Sequence, residues 1–230
     1  MIINFMTFNI QHCKDYVKKT IDIKLMADTI KKCDGQIVGL NEVFGASEAA
    51  PCQAKQIADL LQYQGFFVQS IDFRGQPFGN ALVTKFLPTS VEKIPIPDPI
   101  PDTDEYYETR SIIKARFHNP NFTLLISHFG LAKSEQRNAV QTIMKEIKAI
   151  KTPIVLMGDF NMVPDDPIML PIRSLLKDTL GKNLLSFPSI DPVRKIDYIL
   201  VSPDITVLEA DIPDLVASDH RPHTAVLEIK

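Results

Sequence analysis

Ile154-Val155-Leu156-Met157-Gly158-Asp159-Phe160-Asn161 runs from a continuous apolar block straight into polar residues. Four consecutive apolar residues, two of them β-branched, form a short buried strand, and the polar run that follows breaks it. Glycine at 158 lets the backbone pass close to a neighbour. The strand therefore delivers a carboxylate, Asp159, and an amide, Asn161, to one edge of a sheet. Taken alone, Gly-Asp after a strand is equally the start of an ordinary turn.

The same arrangement recurs along the chain. Thr7-Phe8-Asn9, Leu40-Asn41-Glu42-Val43, Ser127-His128-Phe129, Lys195-Ile196-Asp197-Tyr198 and Ser218-Asp219-His220 each lie at or beside an apolar, strand-like run. Strands are expected over residues 1–9, 36–40, 66–71, 80–84, 111–117, 122–128, 154–157, 196–201 and 224–229. Helices are expected where apolar residues recur at helical spacing. Asp22 caps the first, with Ile23, Met26, Ala27 and Ile30 on one face, and Cys33 to Gly35 ends it. A second covers 53–61. The longest begins at Ser134, carries Val140, Ile143, Met144, Ile147 and Ile150 on one face, and closes at Lys151-Thr152-Pro153. Residues 88–104 hold five prolines, at 88, 95, 97, 99 and 101, and read as an extended edge or surface loop. Two halves of strand-and-helix pattern give two packed sheets with helices outside, in one domain over residues 1–230.

Composition narrows the function. A chain of 230 residues that is 45% hydrophobic buries a full core. A net charge of −3 argues against a protein built to grip long polyanions, which need a basic face. Cys13, Cys33 and Cys52 are odd in number and lack C-x-x-C spacing, so they read as reduced thiols, and zinc is disfavoured. No basic leader or membrane-spanning apolar stretch is present in the sequence, and a cytoplasmic, monomeric protein is the expectation.

Oxygen ligands without a cysteine cluster suit a hard cation such as Mg²⁺, with Mn²⁺ as a substitute, and flanking histidines suit attack on a phosphate ester. Asp159 can take a proton from water and Asn161 can hold that water or the phosphate. His128 can donate to a phosphate oxygen as charge builds in the transition state. His220 can act as acid, base or phosphate ligand, and Asp197 can fix its tautomer. Asp197 lies between apolar residues, so it is buried and needs a partner. Singly, each has a blander reading: Glu42 a solvated strand end, Asn9 a turn residue, His128 a hydrogen-bonded structural histidine.

The six runs, in this order from Asn9 to His220, resemble the endonuclease/exonuclease/phosphatase superfamily with its deoxyribonuclease I-like fold. That resemblance implies an α/β chain, in finer terms an α+β four-layer sandwich of two mostly antiparallel sheets flanked by helices. It implies Glu42 as the principal Mg²⁺ ligand with Asn9 beside it and Asp219 close by. Asp159 and Asn161 then position or activate the water, His128 and His220 bracket the phosphate, and Asp197 orients a histidine. Gly79-Asn80-Ala81-Leu82 and Glu108-Thr109-Arg110 match middle segments of the family, making Asn80 and Arg110 candidate substrate contacts. Two departures stand out. Asn41 replaces the usual Gln before the metal-binding Glu, weakening a secondary hydrogen bond. Gln11 stands where some nuclease relatives carry an acid, which counts against a second metal ligand there.

The substrate is read from loops. His12-Cys13-Lys14-Asp15, Tyr106-Tyr107 and Ser186-Phe187-Pro188-Ser189 mix aromatic and polar residues, which suits a small or lipid-derived phosphate ester and also a splayed nucleotide end. Asp98, Asp102, Asp104, Glu105 and Glu108 repel a long polyanion if they line the cleft. Hydrolysis of a small phosphomonoester or phosphodiester is thus the leading expectation. A DNA-repair type endo- or exonuclease is the alternative, since nucleic acid is possible but not favoured by charge, and a catalytically silent binding protein is the remote one.

Overall fold

Side chains that face inward change from apolar to polar along every central strand, and that change places the site. The computed structural model describes residues 1–48, 50–100, 106–181 and 184–230. One six-stranded sheet contains β1 (Ile2–Asn9), β2 (Ile37–Phe44), β3 (Gln64–Phe73), β4 (Gln76–Thr84), β11 (Thr206–Asp211) and β12 (His223–Glu228), in the order β11-β12-β1-β2-β4-β3. The other contains β5 (Ser90–Pro95), β6 (Ser111–His118), β7 (Asn121–His128), β8 (Ile154–Asp159), β9 (Lys177–Asp178) and β10 (Asp197–Val201), in the order β5-β6-β7-β8-β10-β9. The pairings β1 with β2 and β7 with β8 are parallel, and the others are antiparallel, so both sheets are mixed.

Each parallel pair needs a crossover, and a helix supplies it. The helix α1 (Ile23–Lys32) joins β1 to β2, and α3 (Lys133–Ala149) joins β7 to β8. Asp22 caps α1 by accepting a hydrogen bond from the Leu25 amide at 2.8 Å. With α2 (Gln53–Leu61), α1 covers the outer face of the first sheet, packing Met26, Ile30 and Ile57 against Met6, Phe8, Val38 and Leu40. On the second sheet, α3 and α4 (Leu170–Arg173) pack Val140, Ile143 and Ile172 against Leu125, Leu156, Phe160 and Tyr198. Between the sheets lie Ile3, Phe5, Ile37, Leu82, Leu124, Ile126, Val155, Met157, Ile199 and Leu227. The architecture is the expected α/β sandwich of two sheets with helices outside.

Strand periodicity then dictates what lies above that middle layer. Ile3 and Phe5 continue to Asn9, Val155 and Met157 to Asp159, Leu124 and Ile126 to His128, and Val201 and Ile199 back to Asp197. Register aligns these polar ends: Asn9 pairs with Asn41, while Asp159 pairs with both His128 and Asp197. A polar floor forms at one end of an apolar sandwich.

The proline-rich segment forms the edge strand β5, as an extended edge reading allows; residues 101–105 of that segment lie outside the described residues. β9, β11 and α4 were not expected. β3 and β4 extend past their expected ends because Arg74 and Gly75, both at positive φ (55° and 77°), close a tight hairpin in which Phe73 pairs with Gln76. Among the described residues no helix is long and apolar enough to cross a membrane.

Gly158 sits at φ 146°, and a Cβ there would overlap the Ser127 carbonyl oxygen of β7. Gly158→Ala is therefore expected to cost more than about 3 kcal/mol, because a central strand pair must separate to admit one methyl group. Chemical denaturation measures it, and a loss below 1 kcal/mol would refute the assignment.

Candidate active site

Asp159 ends β8 nearly fully buried, and its two oxygens do different things. Oδ1 accepts the Asn161 amide at 2.9 Å, a turn that Asn161 completes at φ 52°. Oδ2 lies 3.1 Å from Asn9 Nδ2, 3.5 Å from His128 Nε2 and 3.6 Å from His220 Nε2. Three other chain segments thus converge on one carboxylate oxygen. Burial pushes the Asp159 carboxyl up to about 7, with His220 pulling it back and Asp197 adding to the rise.

His220 is held from behind. Its Nδ1 lies 2.8 Å from Asp197 Oδ2, and because a carboxylate only accepts, Nδ1 carries the proton. Burial works against charge on this imidazole, but Asp197 and then Asp159 outweigh it and raise His220 to about 10. Asp197 has a second oxygen, Oδ1, buried with no hydrogen-bond partner among the described residues. Its backbone is fixed by Ser186 Oγ at 3.3 Å and by His223, which reaches from β12 of the first sheet to Asp197 O and Thr179 Oγ1 on the side of the second. Two residues earlier, fully buried Lys195 ties to Asp178 Oδ2 at 2.6 Å.

Glu42 is aimed by a defect in β2. Between the pairs Leu40 with Ala81 and Val43 with Gly79, two residues face one, and Glu42 takes φ 57°. Regular alternation would send Asn41 and Glu42 to opposite faces. The bulge lets Asn41 point between the sheets while Glu42 Oε1 reaches Asn9 Nδ2 at 3.0 Å. Burial raises the Glu42 carboxyl, Asn9 opposes that, and the negative charge of Asp219 adds to it. Gln11 Nε2 donates to Asp219 Oδ2 at 2.9 Å, and Gln11 Oε1 is buried without a partner among the described residues. Two mutually repelling carboxylates beside an orphaned amide oxygen form an oxygen-rich set that fits a hard cation. The ligand atoms of Asp159, Asp197 and His220 also lie within 4.8 Å of one another and could hold a metal ion. There, however, His220 Nδ1 is already hydrogen-bonded to Asp197.

These groups open into a cleft of ≈ 380 Å³ lined by Glu42, Asp159, Asp219 and both histidines. The apolar wall comes from Phe73, Phe78, Tyr106, Leu131 and Phe187. His12, Tyr106 and Phe187, one from each expected substrate loop, line it. Phe73 and Phe78, brought there by the hairpin, had no signal in the sequence. Of the acidic stretch, Glu108 lines the cleft, and Asp102, Asp104 and Glu105 lie outside the described residues.

Asn80 is placed differently from the expected substrate contact. It is buried beneath the floor, accepting from Asn41 Nδ2 at 2.8 Å and donating to Ser111 O at 3.3 Å. Asn41 makes full use of its shorter side chain, since its Oδ1 also accepts the Asp159 amide at 3.0 Å. Asn9 links Glu42 and Asp159 through its NH₂ group, its oxygen being engaged by the Gln11 amide at 3.1 Å. Arg110 lines the cleft but is tied to Glu108 Oε2 at 2.7 Å and His128 Nδ1 at 3.1 Å.

Residues 6–220 match the family model described as the endonuclease/exonuclease/phosphatase family. The chain belongs to the endonuclease/exonuclease/phosphatase family. Members of this family are hydrolases of phosphate esters, and the match spans all six polar runs. No curated protein sequence matches the chain. Among solved structures, the endonuclease/exonuclease/phosphatase from Bacteroides vulgatus is similar at 20% identity over 100% of both chains, with a TM-score of 0.79. A mannosyl-6-phosphatase of Bacteroides thetaiotaomicron is similar at 17% identity over 99% of this chain and 100% of its own, TM-score 0.80. The human Nocturnin catalytic domain with bound sulfate is similar at 17% identity over 100% and 94%, TM-score 0.72. At these identities the structures establish the fold, which the family shares from end to end.

Proposed function

We propose that this family member is a Mg²⁺-dependent hydrolase of small phosphate esters in which Asp159 takes the proton of the attacking water. The observation that carries this is the convergence of Asn9, His128 and His220 on Asp159 Oδ2. With its carboxyl raised to about 7, Asp159 is a better base than an ordinary aspartate and is about half ionised at neutral pH. His220, protonated up to about 10, is the matching acid, and donates to the phosphate or to the departing oxygen while Asp197 holds its ring. His128 donates to a non-bridging oxygen. Asn161, pinned through Phe129 O at 2.9 Å, limits where the water can sit.

Glu42 and Asp219, with Gln11 Oε1 and Asn9 beside them, would hold the cation. When bound, Mg²⁺, or Mn²⁺ in its place, neutralises charge on the phosphate oxygens. The substrate reading rests on the cleft walls. Arg110 is the sole Lys or Arg among the described residues lining the cleft, and it is already paired, whereas five large apolar or aromatic side chains line it, of which Tyr106 and Leu131 are exposed to meet a neutral alcohol. Similarity to a mannosyl-6-phosphatase supports an ester of that size. A polyanion would find few counter-charges.

Hydrolysis of p-nitrophenyl phosphate, bis-(p-nitrophenyl) phosphate, sugar and inositol phosphates, sphingomyelin, an abasic-site duplex, single-stranded DNA and RNA tests this with Mg²⁺, Mn²⁺ or EDTA. Metal-dependent turnover of a small ester is expected. Preferential, steeply salt-dependent cleavage of nucleic acid would make the protein a nuclease, and metal binding without any hydrolysis would make it a binding protein. Glu42→Gln should weaken Mn²⁺ binding, followed calorimetrically, on the order of 10-fold or more, since even second-sphere changes commonly cost that much. Unchanged affinity would move the cation elsewhere.

A further inference from the structure

We infer that Arg110 is a positioning residue that locks His128 in its Nε2–H tautomer, turning the imidazole's donor edge toward the reacting phosphate. The inference goes beyond the hydrolase reading and rests on it only for the identity of that phosphate.

A guanidinium has five N–H donors and no acceptor. Arg110 NH1 lies 3.1 Å from His128 Nδ1, so Nδ1 must present its lone pair, and the ring proton of neutral His128 must sit on Nε2. The alternative tautomer would set N–H against N–H at the same distance.

The other ring nitrogen meets a weaker competitor. Nε2 lies 3.3 Å from Asn161 Nδ2, but that amide is oriented by its bond to Phe129 O, so it too is a donor. Its second N–H can approach Nε2, but at a longer distance and without the guanidinium's charge, so the Arg110 contact sets the tautomer. The remaining neighbour, Asp159 Oδ2, is 3.5 Å away. The Nε2–H therefore faces the site where Asp159 Oδ2 lies and which His220 Nε2 also approaches.

Arg110 is itself held, which is why it can orient a partner. NH2 pairs with Glu108 Oε2 at 2.7 Å. The Glu108 amide donates to Glu135 Oε1 at 3.0 Å, and Glu135 Oε2 accepts the Ala132 amide at 3.2 Å. Glu135 is buried in the first turn of α3. A chain of contacts thus runs from the α3 N-terminus through Glu108 and Arg110 to His128. A guanidinium with two of its three nitrogens engaged in this way is poorly placed to swing onto substrate.

The two histidines then form a matched pair with opposite supports. Asp197 behind His220 requires a proton on Nδ1; Arg110 behind His128 forbids one. Burial, then Arg110, then His220 hold His128 well below the usual imidazole range, so it stays a neutral donor. An imidazolium at 128 would pair with Asp159 and compete with the water for the base.

The experiment has a readout independent of turnover. Long-range ¹H–¹⁵N correlation of the His128 ring, in the full-length protein with Mg²⁺, should show the neutral Nε2–H pattern, and Arg110→Met should replace it by a tautomer mixture or an imidazolium. An Nδ1–H or doubly protonated His128 in the wild type would overturn the inference whether or not any variant folds. On turnover, Arg110→Met should lower kcat by about 10- to 100-fold, the range typical of groups that orient a catalytic residue. In a His128→Gln background the same change should have little further effect. Equal losses in both backgrounds, carried by KM, would instead make Arg110 a direct phosphate contact and overturn the positioning role.

Discussion

Asp159→Asn is expected to lower kcat by about 10³- to 10⁴-fold, the upper part of the range for loss of a general base. The substitution keeps the shape and the Asn161 turn but replaces the proton acceptor at the point where Asn9, His128 and His220 converge. Its effect on folding should be small because two terms oppose. A buried charge whose carboxyl is raised to about 7 costs stability when ionised, and removing it is favourable. Against that, the new NH₂ group faces donors in one orientation and the Asn161 amide in the other. A melting temperature within a few degrees of the wild type, together with near-complete loss of turnover, is the expected result. Activity within 10-fold of wild type would remove Asp159 from the base role.

Loss of His220 is the second large effect. His220→Gln should reduce kcat by about 10³-fold, since the group donates only as the phosphate gains charge and acts chiefly in the transition state. The pH dependence carries the sign. kcat/KM should rise with pH as Asp159 loses its proton, no later than about 7 because a bound cation favours the carboxylate, and should fall as His220 loses its own around 10. His220→Gln should abolish the alkaline fall and leave the acid limb. Stability follows the same linkage. The folded-state value of His220 lies above its ordinary 6.5, so its contribution is complete below 6.5 and is lost as pH rises through about 10. A profile whose alkaline limb survives in His220→Gln would assign that limb to another group.

Several of the chemical groups were legible because strands end abruptly in polar residues. Ile154 to Met157 running into Asp159, Leu124 to Ser127 running into His128, and Ile196 beside Asp197 each required a buried strand with a polar terminus, and a strand's period of two carries an inward face straight to that terminus. Arg110 and Asn80 were harder. As single residues near strand ends they matched substrate contacts, but what decides their role is who stands across from them. Asn80 faces Asn41 from the neighbouring strand, and Arg110 faces His128 across β6 and β7. Neither partner is close in sequence.

By itself the sequence determined the central strands and the three longer helices, their buried faces, and which strand ends would carry carboxylates, amides and imidazoles. Those follow from local periodicity, which needs no distant information. Tertiary structure alone decided the rest. The bulge that turns Glu42 toward Asn9 depends on two residues of β2 meeting one of β4, a matter of register. The protonation of each histidine depends on the group behind it, Asp197 for one and Arg110 for the other, brought there from 23 and 18 residues away. The aromatic wall depends on a hairpin that carries Phe73 and Phe78 over the floor. Charge state and aim are properties of neighbours, and neighbours across a sheet are chosen by the fold.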